Sequence, residues 1–587
     1  MPSTFLTDEL LSRANAILAN MSLAQKIGQM TLVERSTCTP EQVKKYHIGA
    51  ILSAAGSYPN DNSQQAWLSM IDQYWSASTN KDNEHTGIPI LYGVDAIHGH
   101  SNFKDATIFP HQIALGATQS PELISKICRA TAKEVKATGA NWVFGPTLAV
   151  AKDIRWGRTY ESFSDKTKNV TQLAKVLIEG YQTPEIHNPE AVIACAKHFV
   201  GDGGTKFGVD QGDTQLSPEQ LNEHHVAPYF AAVDANVLTI MASFSSWNGV
   251  KCHANHTLLT QLLKKEMGFD GFVLSDMEGV DYLSEDFYQA VAHGVNSGID
   301  MFMMPKNWSL FIEYLHNHIE LGSISITRID DAVKRILSVK IAAGIFEAPL
   351  PSTHVLVDKG VIGCPEHREL ARSAVQKSLL KMKDEHNMFP INPELRILVA
   401  GKNAHDIGHQ CGGFTINWQG FKGNKGVENA TSIWQGINAI SANAQLSIEP
   451  LADIADSSKH DIAIVVIGET PYAEGLGDIR NEQLAVSEYM SKIDGQFNVT
   501  KPYGETVVLS ELHPEDLALI ESIKSKGIPV ITVLVSGRPL NIEKELLLSD
   551  AFVMAWLPGS EGHGVADVLF GHAPFTGSLH FDWPSSV

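Results

Sequence analysis

At 587 residues the chain is too long for one hydrophobic core, and a prior of roughly 150 residues per domain predicts two to four domains, fewer if one is a barrel. A hydrophobic content of 43% with 46 glycines and 26 prolines is ordinary for a globular α/β protein. The net charge of −21 argues against nucleic acid or an anionic membrane as partner, because both require Lys/Arg patches.

The N-terminus, Met1-Pro2-Ser3-Thr4-Phe5-Leu6, has no basic start and meets Asp8-Glu9 at once, which is unlike a signal peptide. No apolar run approaches the ~18 residues of a spanning helix. The reading is a cytoplasmic chain, or a secreted or periplasmic one from which a signal has been removed. A first helix is predicted from about Thr7, with Leu10, Leu11, Ala14, Ile17, Leu18 and Met21 at helical spacing. Ser22 and Gln25 form a capping box for a second helix carrying Ile27 and Met30.

The pattern then alternates. Apolar strands are predicted at 48–52, 88–92, 142–144, 192–196, 237–241, 272–274 and 301–304, with amphipathic helices between several of them, such as 121–137 and 218–233. Strand, helix, strand at this spacing implies parallel pairing, because each crossover must be long enough to return. Seven such strands approach the count of a (β/α)8-type barrel, with a doubly wound open sheet as the competing architecture. Gly344, Pro349, Pro351, Gly360, Gly363 and Pro365 break the period over 344–366. The predicted division is a barrel at 1–350, a linker at 351–371 and a layered α/β/α open-sheet domain at 372–587. That last domain is read from strands at 397–400, 462–467, 530–535 and 552–556.

Reactive groups of such a barrel belong at the C-terminal ends of its strands. The 88–92 strand leads to Asp95, and the one at 142–144 to a loop with Arg155, Arg158, Tyr160 and Glu161. The 192–196 strand ends in Lys197-His198, and the 272–274 strand in Ser275-Asp276. One such residue alone reads as a helix cap or a solvated charge. Four converging ends read as a working face.

There is no GxxxxGK[ST] loop, HExxH pair or GxSxG elbow. The glycines of 559–564 read as loop-to-helix packing. His98 with His100, and His224 with His225, lack the carboxylate spacing of a metal site, so no metal and no cofactor is expected. The six cysteines include no CxxC pair and read as reduced thiols. Carboxylates among Arg, Lys and His suit a neutral polyhydroxylated substrate.

The chain resembles the glycoside hydrolase family 3 β-glucosidases and exo-acting β-glucan hydrolases over nearly its whole length. The resemblance is carried by Gly93-Val-Asp95-Ala-Ile-His98-Gly, Gly157-Arg158-Thr-Tyr160-Glu161-Ser-Phe, Lys197-His198-Phe-Val-Gly-Asp202, Ser275-Asp276, Gly468-Glu469-Thr-Pro-Tyr-Ala-Glu474-Gly-Leu-Gly-Asp478 and Trp556-Leu-Pro-Gly-Ser-Glu561-Gly. It implies a barrel followed by a layered domain, with the active site between them. It implies Asp276 as nucleophile and Glu474 as acid/base of a retaining exo-β-glucosidase, with Glu469 a rival for the second role. It further implies Asp95, Arg158, Lys197 and His198 on the hydroxyls of one terminal sugar, with Glu161 among the substrate-binding residues. Lys197, His198 and Arg158 are expected to lower the pKa of Asp276, and Glu474 to lie in a less cationic place.

The chain also departs from that family. Where the plant glucan exohydrolases clamp the next sugar between two Trp, it has Met277 and Phe414, with Trp418 nearby as compensation or as core. Phe244 replaces a frequent Tyr, and Tyr282 stands where some relatives have Arg. The expectation is hydrolysis of short β-glucosides or β-gluco-oligosaccharides by a monomer or homodimer. The alternatives are a β-xylosidase, a catalytically silent sugar-binding protein, and a Schiff-base enzyme built on Lys197.

Overall fold

A computed structural model describes residues 5–81, 85, 87–182, 185–484, 486, 487, 489, 491 and 501–584. Thr7 caps the first helix, Asp8–Ala19, by accepting the Leu10 N–H, and the Ser22/Gln25 capping box opens the second, Leu23–Gln29. Eight parallel strands follow: β1 (Thr31–Glu34), β2 (Ala50–Ser53), β3 (Leu91–Val94), β4 (Trp142–Val143), β5 (Ile193–Phe199), β6 (Thr239–Ala242), β7 (Phe272–Leu274) and β8 (Phe302–Met303). They run side by side in the order β7-β6-β5-β4-β3-β2-β1-β8, and a single bridge from Leu274 to Met301 joins the two ends. The barrel is thus nearly closed. Its strands are apolar along their length because helices cover the outside and side chains fill the middle.

β1 is absent from the sequence reading. Only Met30 separates it from the second helix, so Ile27, Met30, Leu32 and Val33 read as one continuing apolar period. β5 holds the most consequential irregularity. Its register against β6 slips between Ala196, opposite Ile240, and Phe199, opposite Ala242. Successive strand residues ordinarily face opposite ways; across this slip both Lys197 and His198 line the same cavity.

The second sheet has order β9-β14-β13-β12-β10-β11, with β9 Leu380–Asp384, β10 Ile397–Ala400, β11 Ala444–Leu446, β12 Ile462–Gly468, β13 Val530–Val535 and β14 Ala551–Trp556. All pairs are parallel except the β9 edge. Strand order reverses between β10 and β12, and in sheets of this kind functional groups gather outside the C-terminal ends at that point. The loop leaving β12 carries Glu474.

A helix at Pro365–Ser378 begins inside the stretch read as a linker, since Pro365 sits at its first turn, where proline favours a helix start. The apolar core of the second sheet also takes in Trp156 and Tyr160 from the loop after β4, packed with Phe414, Tyr472 and Leu557. The barrel and the sheet therefore meet through a continuous apolar seam. Among the described residues, no helix is long and apolar enough to cross a membrane.

Candidate active site

A cavity of about 240 Å³ opens at the C-terminal end of the barrel, with walls from both halves. Asp95, Arg158, Lys197, His198, Asp276, Met277, Phe414, Trp418 and Glu474 all line it. Of the residues singled out from sequence, Glu161 does not. It is fully buried and holds Arg158 in a two-pronged pair, Nε to Oε1 at 2.7 Å and Nη2 to Oε2 at 2.9 Å, with Thr147 adding a bond at 3.4 Å. Glu161, expected as a substrate-binding residue, thus lies behind Arg158, outside the cavity lining.

The polar wall is an interlocked chain. Lys197 Nζ pairs with Asp95 at 3.2 Å. His198 Nδ1 meets Asp202 at 2.8 Å, which turns Nε2 toward Arg158 Nη2 at 3.4 Å and Asp276 Oδ2 at 3.9 Å. Burial, with Arg158 and Lys197 beside it, drives the His198 pKa well below the ordinary range and keeps the ring neutral. The Asp276 backbone N–H donates to His253 Nε2 at 2.8 Å, and the Met277 N–H donates to Asp276 Oδ1 at 2.7 Å.

Glu474 comes from the other half. It opens a short turn, Glu474–Gly477, with its own φ at +47°, left-handed backbone that costs a non-glycine residue on the order of 1–3 kcal/mol. Gly157 of the barrel loop lies against it so closely that a Cβ there would stand 2.0 Å from the Glu474 carbonyl oxygen. Trp418 Nε1 donates to Glu474 Oε1 at 3.1 Å, and Arg158 Nη1 is 3.9 Å from the same oxygen. Trp418 is thus a cavity residue and not plain core.

Electrostatics differ from expectation at both carboxyls. Burial raises the Asp276 pKa to about 6, outweighing Arg158, the Met277 N–H and Lys197, which pull it down. Burial likewise raises Glu474, to about 8; Arg158 opposes the rise, while Asp210, Asp276 and Glu161 add to it. Glu474 does not lie in a less cationic place, since Arg158 reaches both carboxyls. What separates them is the anions around each: Asp210, Asp276 and Glu161 about Glu474, against Asp95 about Asp276. Between about pH 6 and 8 the first is ionised and the second protonated.

Residues 22–339 match the glycosyl hydrolase family 3 N-terminal domain, and residues 379–587 match the C-terminal domain of the same family. The chain belongs to glycosyl hydrolase family 3. An exo-1,3/1,4-β-glucanase (ExoP) from a Pseudoalteromonas species is 40% identical, with a TM-score of 0.91 over 100% of this chain and 72% of that one. A lysosomal β-glucosidase of Dictyostelium discoideum is 29% identical over 97% of this chain and 72% of its own length. A β-xylosidase of Formosa agariphila is 30% identical over 86% of this chain and 70% of its own.

Within this family 3 frame the rival carboxylate takes a different place. Glu469 is buried away from the cavity and saturated: Arg538 Nε, the Tyr472 and Ser536 hydroxyls and the Gly537 N–H all donate to it at 2.8–3.0 Å. It braces the second domain. His98 and His100 lie outside the cavity lining. His98 stacks on His111 at 3.6 Å and bonds the Phe109 carbonyl, while His100 bonds Thr138. His513, Glu515 and Asp516 cluster elsewhere, with Lys402 bonded to both carboxylates at 2.6 and 3.0 Å.

Sequence reasoning missed Tyr489 and Gln211, which also line the cavity. Tyr489, Phe244 and Tyr282 pack at its rim with centroids 5.2–5.8 Å apart. No local pattern marks Tyr489, because the chain brings it there from the second domain. Asp202 lies within the Lys197-His198 motif, and its spacing of four from His198 is the signal that points to it.

Proposed function

We propose that the chain is a retaining exo-β-glucosidase that removes terminal non-reducing β-D-glucosyl residues from short β-glucosides or β-gluco-oligosaccharides, with the barrel holding the sugar and the 372–587 domain contributing the acid/base loop. One observation carries this reading: a single cavity joins a strand-end carboxyl that ionises near pH 6 to a second-domain carboxyl that keeps its proton to about pH 8. Ionised Asp276 attacks the anomeric carbon while Glu474 passes its proton to the departing glycosidic oxygen. Water then enters, Glu474 takes a proton from it, and the sugar–Asp276 ester is cleaved. Asp95, Arg158, Lys197 and His198 hold the ring hydroxyls, and rigid strand ends keep those contacts aimed as the ring flattens.

The leaving-group side supports short substrates. Met277, Phe414 and the Phe244–Tyr282–Tyr489 rim offer apolar faces without the paired indoles of a clamp. The resemblance to a β-xylosidase gives the neighbouring reading, and paired assays of aryl β-glucoside and β-xyloside separate the two. The deciding experiment is inactivation with a 2-fluoro β-glucoside followed by peptide mapping. Label on Asp276 is expected; label on another carboxylate overturns the assignment.

A further inference from the structure

Two buried groups outside the cavity converge on the turn that carries Glu474. Arg538, three residues past β13, is fully buried. Its Nη2 donates to the Gly477 carbonyl at 2.6 Å, at the end of that turn. Its Nη1 donates to the carbonyls of Ile154 and Arg155, at 3.1 and 3.2 Å, in the barrel loop that leads to Arg158. Its Nε reaches Glu469 and the Tyr472 hydroxyl, each at 3.0 Å, and its guanidinium carbon sits 4.6 Å over the Tyr472 ring. The planar fork is therefore pinned from behind while its two ends grip both loops.

Asp478 closes the other side. Its Oδ1 accepts the Gly157 N–H and its Oδ2 the Asp210 N–H, each at 2.8 Å, so one carboxyl ties the end of the Glu474 turn to two barrel loops. Neither Arg538 nor Asp478 lines the cavity.

We propose that Arg538 and Asp478 are positioning residues, a two-point clamp that sets the Glu474 carboxyl against the glycosidic oxygen by anchoring its turn to the loop presenting Arg158. This rests on reading Glu474 as the acid/base. Proton transfer requires hydrogen-bond reach, and a misplacement of about 1 Å costs on the order of 10²-fold. The turn is four residues long and begins in left-handed backbone; against the barrel it has Gly157, Arg158 at 3.9 Å from the Glu474 carboxyl, the Ile479 N–H on the Arg155 carbonyl at 2.9 Å, and the Arg538 and Asp478 bonds.

The test is kcat/KM, which reports the glycosylation step, for aryl β-glucosides with leaving groups from dinitrophenol to phenol. It is run on the unaltered enzyme, E474Q and R538K, with thermal unfolding of each. Lysine keeps the charge but cannot span Gly477, the 154–155 carbonyls and Glu469 together. R538K is expected to lose about 10²-fold on the phenyl glucoside and less than about threefold on the dinitrophenyl glucoside, following E474Q in slope. An equal loss on every leaving group, with E474Q still steep, overturns the clamp and leaves the role of Glu474 standing. A flat E474Q series overturns the acid/base reading, and the clamp's purpose with it. Should R538K fail to fold, D478N carries the test: a leaving-group-dependent loss of about tenfold supports the clamp, and a uniform loss or none overturns it.

Discussion

Asp276, half-buried, and Asp300, fully buried, are aspartates of the same barrel, one just past the end of β7 and the other just before β8, and their environments are opposite. Burial pushes against ionisation at each. At Asp300 the cations Lys264, Arg328 and Arg335 win and bring the pKa down to about 2. Lys264 Nζ bonds it at 2.7 Å, Arg328 pairs with the same oxygen, and the Val273 N–H bonds the other at 2.8 Å. At Asp276 burial wins and the pKa rises to about 6. The two ends of one barrel place the same side chain in opposite settings: a satisfied carboxylate ties the base together, and an underserved one at the mouth faces the cavity.

The comparison is broken most severely by removing the reactive member. D276N is expected to lower kcat more than ~10⁴-fold on any β-glucoside; retention of substantial turnover would mean that the two aspartates do not differ in role. D300N should instead leave the folded enzyme active but destabilise it by about 3–5 kcal/mol, since Lys264 and Arg328 are left buried without their partner. Urea unfolding followed alongside activity distinguishes the two.

The signs of the pH effects sharpen the contrast. Asp300, depressed from 3.8 to about 2, contributes roughly 2 kcal/mol that is complete above pH 3.8 and lost as pH falls through about 2. Asp276, raised from 3.8 to about 6, makes the unfolded chain release its proton first. Stability therefore falls by roughly 3 kcal/mol as pH rises through that window, and at pH 7 D276N should be the more stable protein. Activity should follow a bell with limbs near 6, for Asp276, and near 8, for Glu474.

The smallest expected effect belongs to W418F. Losing the indole bond at 3.1 Å from Glu474 removes a contact that favours its ionised form, so the basic limb should move upward with kcat/KM down at most about tenfold. An unmoved limb would show that Trp418 does not act on Glu474.

What the sequence disclosed and what it withheld divide along the range of the interactions. Phe272–Leu274, Ile397–Ala400 and Val530–Val535 lie where their apolar runs predict, because strands buried on both faces write their burial into consecutive residues. β9 was not legible: Leu380-Lys-Met-Lys-Asp384 is an edge strand whose two lysines interrupt its apolar run, so it reads as loop. Strand-end chemistry was visible at Asp95, Lys197, His198 and Asp276. Arg538, Asp210 and Tyr489 were not, because each takes its partners from other loops, some of them hundreds of residues away. The raised pKa of Asp276 also needed three dimensions, since burial cannot be weighed against Arg158 and Lys197 by listing neighbours in a motif.

The slip in β5 sets a spatial scale. Residues on one face of a regular strand stand about 6.6 Å apart, wider than the gap between adjoining hydroxyls on a sugar ring. By turning two consecutive residues, Lys197 and His198, to the same side, the barrel wall presents polar groups at half that pitch, matched to the grain of a carbohydrate and not to the grain of a β-sheet.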